Sequence, residues 1–364
     1  MIKKYKVIAI PPGETIKEQI SAKGITQKEF AQRMGYSEKH ISQMLNGYAK
    51  LTQETALRLE NVLGIPANFW NKLEAIFQED LTRIKNIIRM EKEQEVAKEI
   101  PYNEMSKYGW VEKSRKSEER IQYLRRFFKV GSLEFIERVN IYSISFRILD
   151  DGKASKYALL AWLQRGWNEA SEMETKDFDI KKLNDSIDDL RKLVKLNSEI
   201  FLPKMREICS DCGVAVVLVP HLPKTYAHGA ASWINSNKAV IQLTIRGKTS
   251  DRFWFSFFHE LAHILKHSKK DIYISYNIDE GDDKSNPEKE ADKIAGNILI
   301  PEKDFRTFII NQEINRETII KFAEETDIHP GIVVGRLQFD EYIPYSHFND
   351  LKKKYEWVDE RYRN

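Results

Sequence analysis

Cysteine is almost absent: the 364 residues contain two, Cys209 and Cys212, in the tetrapeptide CSDC. A disulfide framework is excluded, and two thiolates cannot complete a cysteine-only zinc site within one chain. The pair stands at the end of an expected helix, before the strand-like GVAVVLV, whereas a redox CxxC opens a helix; two reduced thiols are expected. Long apolar runs are also lacking. No stretch approaches the roughly eighteen residues needed to span a bilayer. The opening MIKKYKVIAIPPG has an apolar run of only four residues before its prolines, too short for a signal-peptide core. These absences favour a cytoplasmic protein. There is no internal repeat and no low-complexity tract.

A large charge imbalance is missing too: 58 Lys+Arg face 55 Asp+Glu, a formal +3. Whole-chain charge therefore carries no argument for a polyanionic partner, and its distribution matters more. Residues 1–66 hold ten basic against six acidic side chains, so +4 lies there and the remainder roughly balances. That suits an N-terminal module facing nucleic acid, with a solvated basic surface as the plain alternative. With 41% hydrophobic and 31% charged residues, the chain has material for two or three globular domains.

Residues 13–63 read as short helices with tight connections. Thr26 with Glu29 three residues on forms a capping-box pattern, Gly35 ends that helix, and Ser37 caps the next. Ala31, Gly35 and Ile41 fall where a helix-turn-helix needs a small residue, a turn glycine and a buried aliphatic. PPGETIKEQI, GITQKEFAQRMGYSEKHISQMLNG and LENVLGIPANFW together resemble the Xre/Cro-type helix-turn-helix, and most closely HigA-like antidote proteins, from Pro11 to about Trp70. The resemblance makes Ser37–Asn46 the recognition helix. Ile41 and Leu45 point inward, leaving Glu38, Lys39, His40, Ser42 and Gln43 to face a major groove, where glutamine can pair with adenine and lysine with guanine or phosphate. The family pattern puts Gln27 on the DNA backbone. For each side chain taken singly, a solvated helix face is the alternative. Such modules bind paired half-sites, which implies a homodimer on a double-stranded operator.

Residues 71–140 alternate in charge and are helical in pattern, and 155–208 continue as helices. IPYNEMSKYGW and YLRRFFKV read as small-core packing. From Gly213 the character changes: GVAVVLVP and KAVIQLTIR are short and β-branched, as strands are.

DRFWFSFFHELAHILKHS follows, long enough for a helix. Its i,i+4 spacing sets His259 and His263 one turn apart on one side, so both imidazoles can converge on one ion. Glu260 is rotated one step and can hold a water beside that ion and take its proton. Chance would produce HExxH on the order of 0.02 times in such a composition; the alternative is two helix histidines with unrelated hydrogen bonds. A third ligand is needed. His267 continues the series but lies about 12 Å along the axis from His259, which points to a role outside the coordination sphere. SNPEKEADKIAGNILIP offers better. Ser285 or Asn286 caps this helix, Pro287 fits its first turn, and Pro301 ends it. Ala291, Ala295, Ile298 and Leu299 form the buried stripe with Glu288 at its edge, while Glu290 points away. A carboxylate entering a buried face needs a partner, and zinc would supply one. Asp292 could accept a hydrogen bond from a ligand imidazole. Alternatively Glu288 is merely a first-turn acid favoured by the helix dipole.

HExxH…ExxxD resembles gluzincin metallopeptidases. HGAASWINSNKAVIQLTIRGKTSDRFWFSFFHELAHILKH, PEKEADKIAGNILIP and DIHPGIVVGRLQ resemble the ImmA/IrrE family over roughly Cys212 to Asp340. Carried over, the resemblance implies Zn2+ on His259, His263 and Glu288, with Glu260 as general base. The family often has a glutamate at the Glu290 position as well, so Glu288 rests on helix geometry and gluzincin spacing. The resemblance also puts a sheet-edge strand for extended peptide at Ala239–Thr244. No oxyanion stabiliser stands out; His228, Arg246 and Tyr273 are candidates, each with a structural alternative.

The expected fold is mainly α with a small α+β domain. A five-helix Xre-type module over 1–70 is followed by a helical connector over 71–208, a gluzincin-like metallopeptidase domain with a small β-sheet over 209–345, and a charged tail over 346–364. The expected function is DNA-binding regulation with zinc-dependent cleavage of a partner repressor, toxin or stress regulator. The alternative is an antitoxin or autorepressor of a toxin–antitoxin or mobile-element system, with a structural or sensory metal. A partner-binding adaptor with vestigial motifs is a third reading.

Overall fold

The computed structural model describes residues 8–140, 155–245, 249–276, 286–311 and 313–357. The chain divides between Gln94 and Glu95 into two compact units.

The first unit is helical: α1 (Pro12–Ala22), α2 (Gln27–Met34), α3 (Glu38–Leu45), α4 (Gln53–Leu63) and the start of α5 (Ala67–Glu99). The hydroxyls of Thr26, Ser37 and Thr52 each accept the backbone N–H three residues on, so α2, α3 and α4 all begin on a side-chain cap. The capping box expected at Thr26 is half formed, because the Glu29 carboxylate pairs with Arg33 at 2.5 Å, one turn further along. Gly35 ends α2 at φ +69°, a left-handed conformation that glycine enters without cost. Ile16, Phe30, Ile41, Leu59 and Trp70 are fully buried in one core. A Cβ on Gly13 would stand 2.0 Å from the Leu45 carbonyl oxygen, so α1 can lie this close to the end of α3 only with glycine there.

The second unit is built on a four-stranded sheet of β1 (Val214–Leu218), β2 (Ala227–Asn235), β3 (Lys238–Leu243) and β4 (Tyr273–Tyr276), in the order β1-β3-β2-β4. β1 runs parallel to β3, and β2 is antiparallel to both β3 and β4. The expected strands GVAVVLV and KAVIQL are β1 and β3. β3 is an interior strand, which corrects the expected peptide-binding edge at Ala239–Thr244: its backbone groups are already paired on both sides. Among the described residues the edges are β1 and β4.

Both faces of the sheet are covered, and alternate residues divide between them. Val214, Val216, Ala239 and Ile241 face a core shared with α13 (Ser250–Lys266), whose Trp254, Phe257 and Phe258 are fully buried. Each such side chain stabilises the fold by roughly 1.5–3 kcal/mol. Ala215, Val217 and Val240 face the other core, with Trp162 of α9 (Lys156–Glu172) and Phe127 and Phe128 of α7 (Ser117–Phe128). The aromatic phrases at 100–111 and 123–130 are therefore core, as expected. They are core on the back of this sheet, which makes much of the segment read as a connector an integral part of the second unit. The second unit also contains the short helices α6 (Tyr102–Lys107), α8 (Ile136–Asn140), α10 (Ile180–Asp185) and α11 (Ile187–Lys192) and the longer α12 (Ser198–Asp211). Cys209 and Cys212 are buried and unbridged, and burial pushes the Cys209 thiol up.

Beyond α13 run helices at Asn286–Leu299, Glu302–Asn311, Arg316–Glu325 and Pro330–Phe339. Residues 346–357, the described part of the segment read as a charged tail over 346–364, dock on the start of α13. Ser250 N–H donates to the Lys353 carbonyl at 2.8 Å, and Trp254 Nε1–H donates to the Tyr355 hydroxyl at 3.3 Å. Lys352 Nζ lies 2.6 Å from Asp251 Oδ2 and 2.6 Å from Gln338 Oε1, with the Lys352 and Asp251 side chains 8% and 10% exposed. Removing one partner of a buried pair strands the other charge. Lys352→Ala should cost roughly 3–5 kcal/mol, read as a lower urea midpoint of the second unit; an unchanged midpoint would show that this contact does not anchor the segment.

Candidate metal centre and nucleic-acid interface

α13 presents His259 and His263 on the face turned toward the helix Asn286–Leu299, denoted α14. Donor atoms from both helices meet there. His259 Nε2 and His263 Nε2 are 3.0 Å apart, Glu288 Oε2 is 3.1 Å from the first, and Glu288 Oε1 is 3.3 Å from the second. A tetrahedral zinc ion with bonds of about 2.0–2.1 Å needs its ligand atoms about 3.3 Å apart. Two imidazoles and one carboxylate also form a set that zinc accepts with a fourth position open. Among the described residues this is the group of His, Cys, Asp and Glu side chains that can close on an ion. Asp292, one turn beyond Glu288, places Oδ1 2.9 Å from His259 Nδ1, so the nitrogen turned away from the donor cluster meets a carboxylate. Glu290 is 56% exposed and contacts His267.

The electrostatics suit a cation. Burial alone would raise the Glu288 pKa, but the His259 and His263 imidazoles overcome it and bring it down to about 2. Burial likewise opposes charge on His259, yet Asp292 and Glu288 raise its pKa to about 10. His263, with less carboxylate help, is lowered by burial. The carboxylates and the His259 imidazole thus stabilise opposite charges against one another in a partly buried place, and a bound cation would take over the role of the imidazole's proton.

Glu260 is fully buried beside these donors. Its Oε1 accepts a hydrogen bond from the Ser275 hydroxyl, while Oε2 is buried and has no hydrogen-bond partner among the described residues. Burial pushes its carboxyl up to about 8, against the opposing effects of His259 and Ser275. The room for it comes from β2: a Cβ on Gly229 would lie 2.4 Å from Glu260 Oε1. Gly229 and Ser275 were absent from the sequence reading. The available signals were a glycine within a run of small residues, HGAAS, and the alternation YISY, which places Tyr273 and Ser275 on one face of β4. Tyr273, considered there as an oxyanion stabiliser, stacks its ring on His263 at 4.3 Å and 16°, and its hydroxyl is engaged by Ser268 N–H and Asp271. His228 sits in β2 near Thr244, Thr249, Arg252 and Ser256. Arg246 and Ser285 lie outside the described residues.

In the first unit, α3 buries Ile41, Met44 and Leu45 and exposes Glu38, Lys39 and Gln43. Ser37 is the cap, its Oγ accepting from His40 N–H at 3.2 Å. His40 is half-buried, its ring 4.7 Å from that of Tyr36, and Ser42 is half-buried as well. Gln27 is exposed at the first position of α2.

The comparisons with known proteins divide the same way. The helix-turn-helix family model matches residues 16–70, and the IrrE N-terminal-like domain model of the M78 peptidases matches residues 215–337. An uncharacterized HTH-type transcriptional regulator of Escherichia coli (strain K12), YddM, is 30% identical over 84 residues, 21% of this chain and 89% of that protein. An addiction module antidote protein of the HigA family from Coxiella burnetii, of known structure, is 26% identical, with 23% of this chain and 92% of that one covered and a TM-score of 0.21.

Restoring ordinary contact at Gly229 requires about 1 Å of movement, the difference between 2.4 Å and 3.4 Å. A crystal structure of Gly229→Ala should therefore show the Glu260 carboxyl displaced by about that much, with the His259–His263–Glu288 cluster intact. An unmoved Glu260 would show that the strand yields instead.

Proposed function

Since this chain belongs to the helix-turn-helix transcriptional regulators and carries an IrrE N-terminal-like domain of the M78 peptidase family, we propose that it is a DNA-bound regulator whose second unit is a zinc metallopeptidase acting on a partner protein. The partner is a repressor, a toxin or a stress regulator, and the working form is a cytoplasmic homodimer on a double-stranded operator. The observation that carries the peptidase reading is Glu260. A structural metal site needs no base, yet here a buried carboxyl with one oxygen unpartnered lies beside three metal donors.

His259, His263 and Glu288 would hold the ion, and Asp292 would orient His259 by accepting its Nδ1–H. When bound, zinc supplies Lewis acidity, polarising a carbonyl and acidifying water. Glu260 takes the proton from the attacking water on Oε2 and later returns it to the leaving amine, while Ser275 holds Oε1 in place. Among the described residues no strand pairs with the outer edge of β4. An extended substrate added there would run past Tyr273 and Ser275, next to the donors.

In the first unit, α3 is the recognition helix. Lys39 and Gln43, both exposed, read base edges, with Glu38, His40 and Ser42 beside them, and Gln27 and the Ser37 end of the helix contact phosphates.

Metal analysis should find about one zinc per chain, lost in His259→Ala and Glu288→Ala. Glu260→Gln should keep the zinc and lose about 10²–10⁴-fold in cleavage, so it can trap in its native host the proteins that the wild type cleaves. Stoichiometric zinc in Glu288→Ala would remove the third ligand, and cleavage by Glu260→Gln at the wild-type rate would remove the base. On DNA from its own promoter region, binding should be sequence-specific and weaken with salt, and Lys39→Ala/Gln43→Ala should abolish the specificity. Equal retention of all DNA sequences by the wild type would refute the regulator reading.

A further inference from the structure

His263 reaches a second imidazole on the side away from the metal donors. α13 ends at Lys266, and His267 leaves it with extended backbone, φ −111° and ψ 174°. The straight-helix distance from His259 therefore does not describe its ring, which turns back over the last turn. His267 Nδ1 lies 2.9 Å from His263 Nδ1, and His267 Nε2 lies 3.3 Å from Glu290 Oε2. The His267 side chain is 9% exposed, and the Tyr273 ring covers both imidazoles at 4.3 and 5.3 Å.

Two imidazole nitrogens at 2.9 Å can share one proton: one must donate and the other accept. If His263 offers the lone pair of Nε2 to an ion, its proton sits on Nδ1 and is donated to His267. His267 Nδ1 must then be bare, so its own proton sits on Nε2, where the Glu290 carboxylate accepts it. The opposite tautomer of His267 would set two N–H groups against each other and leave the bare lone pair of Nε2 facing the Glu290 carboxylate. From this chain of contacts we infer that His267 is a positioning residue that fixes the ring and tautomer of His263, and that Glu290 acts on the centre only through His267. The inference rests on the metal reading above. It gives the two ligand imidazoles different supports: a direct carboxylate, Asp292, behind His259, and an imidazole–carboxylate relay behind His263. It also gives Glu290 a function other than coordination.

The test is zinc affinity of the full-length chain, measured by competition with a chromophoric chelator, with thermal unfolding in excess EDTA as the control for folding. His267→Ala should weaken zinc about 10–100-fold, the range for supporting partners of ligand histidines, with its unfolding temperature in EDTA close to wild type. His267→Asn, whose Oδ1 can accept where Nδ1 did, should recover most of that loss. Glu290→Ala should weaken zinc less than His267→Ala does, and should add nothing in the His267→Ala background. Wild-type affinity in His267→Ala overturns the inference, as does an equal Glu290→Ala effect in both backgrounds. His267→Asn as weak as His267→Ala would reduce the role to packing and also overturns it. A wild-type chain that takes up no zinc overturns the metal reading itself, which separates that failure from this one.

Discussion

The second unit depends on how closely α13 lies against β2. A helix carrying large aromatics on its buried side ordinarily stands off a sheet by the length of those side chains. At Gly229 the sheet has no side chain, and a glutamate fills the space. This single close approach sinks the Glu260 carboxyl to full burial, brings it under the Ser275 hydroxyl of β4, and leaves its other oxygen without a hydrogen-bond partner among the described residues. The small residues of β2 serve the same end on its other face, where Ser232 accepts from Trp167 Nε1–H at 2.9 Å. A sheet of large β-branched residues throughout would pack well and would hold no such carboxyl.

Burying charge requires that the surrounding helices cannot drift, and the contacts far from the donors bear on that. Arg191 donates to the carbonyls of Ile298 and Leu299 at the end of α14, and to those of Thr326 and Asp327. It thereby satisfies backbone acceptors that the helix leaves open and places a cation at the negative end of the helix dipole. At the other end of the same helix stand Glu288 and Asp292. The start of α13 is held by the docked segment at 346–357, where Lys352 neutralises Asp251. Two helices that together present three donors are each anchored at the end remote from those donors.

Much of this organisation is legible in residue order, where chemistry and period coincide. HExxH on a helix puts two imidazoles on one face whatever the helix packs against, and the buried stripe of the EKEAD helix sets Glu288 apart from Glu290 by rotation alone. Thr26, Gly35 and Ser37 mark helix ends because caps are local hydrogen bonds and a left-handed turn is a single-residue property. Sequence reasoning overlooked β2 and β4. β2 is rich in alanine and glycine, which carry little strand propensity by themselves. β4 is four residues long, too short for its alternation to stand out. The interior position of β3 was equally out of reach, because strand order is a property of the whole sheet.

Residue order was enough to identify the two kinds of module and to put His259 and His263 on one helix face, since each follows from spacing within a single helix or from a match along one continuous segment. Tertiary structure alone decided the rest. It buried Glu260 against Gly229, stacked the Tyr273 ring on His263, and set Trp110, Phe127, Phe128 and Trp162 in the core on the back of the sheet. It also docked residues 346–357 onto α13 and brought His267 and Glu290 behind His263. All of these are distances between atoms far apart in the chain or past the end of a helix. Local periodicity carries no information about them, because packing and burial set them.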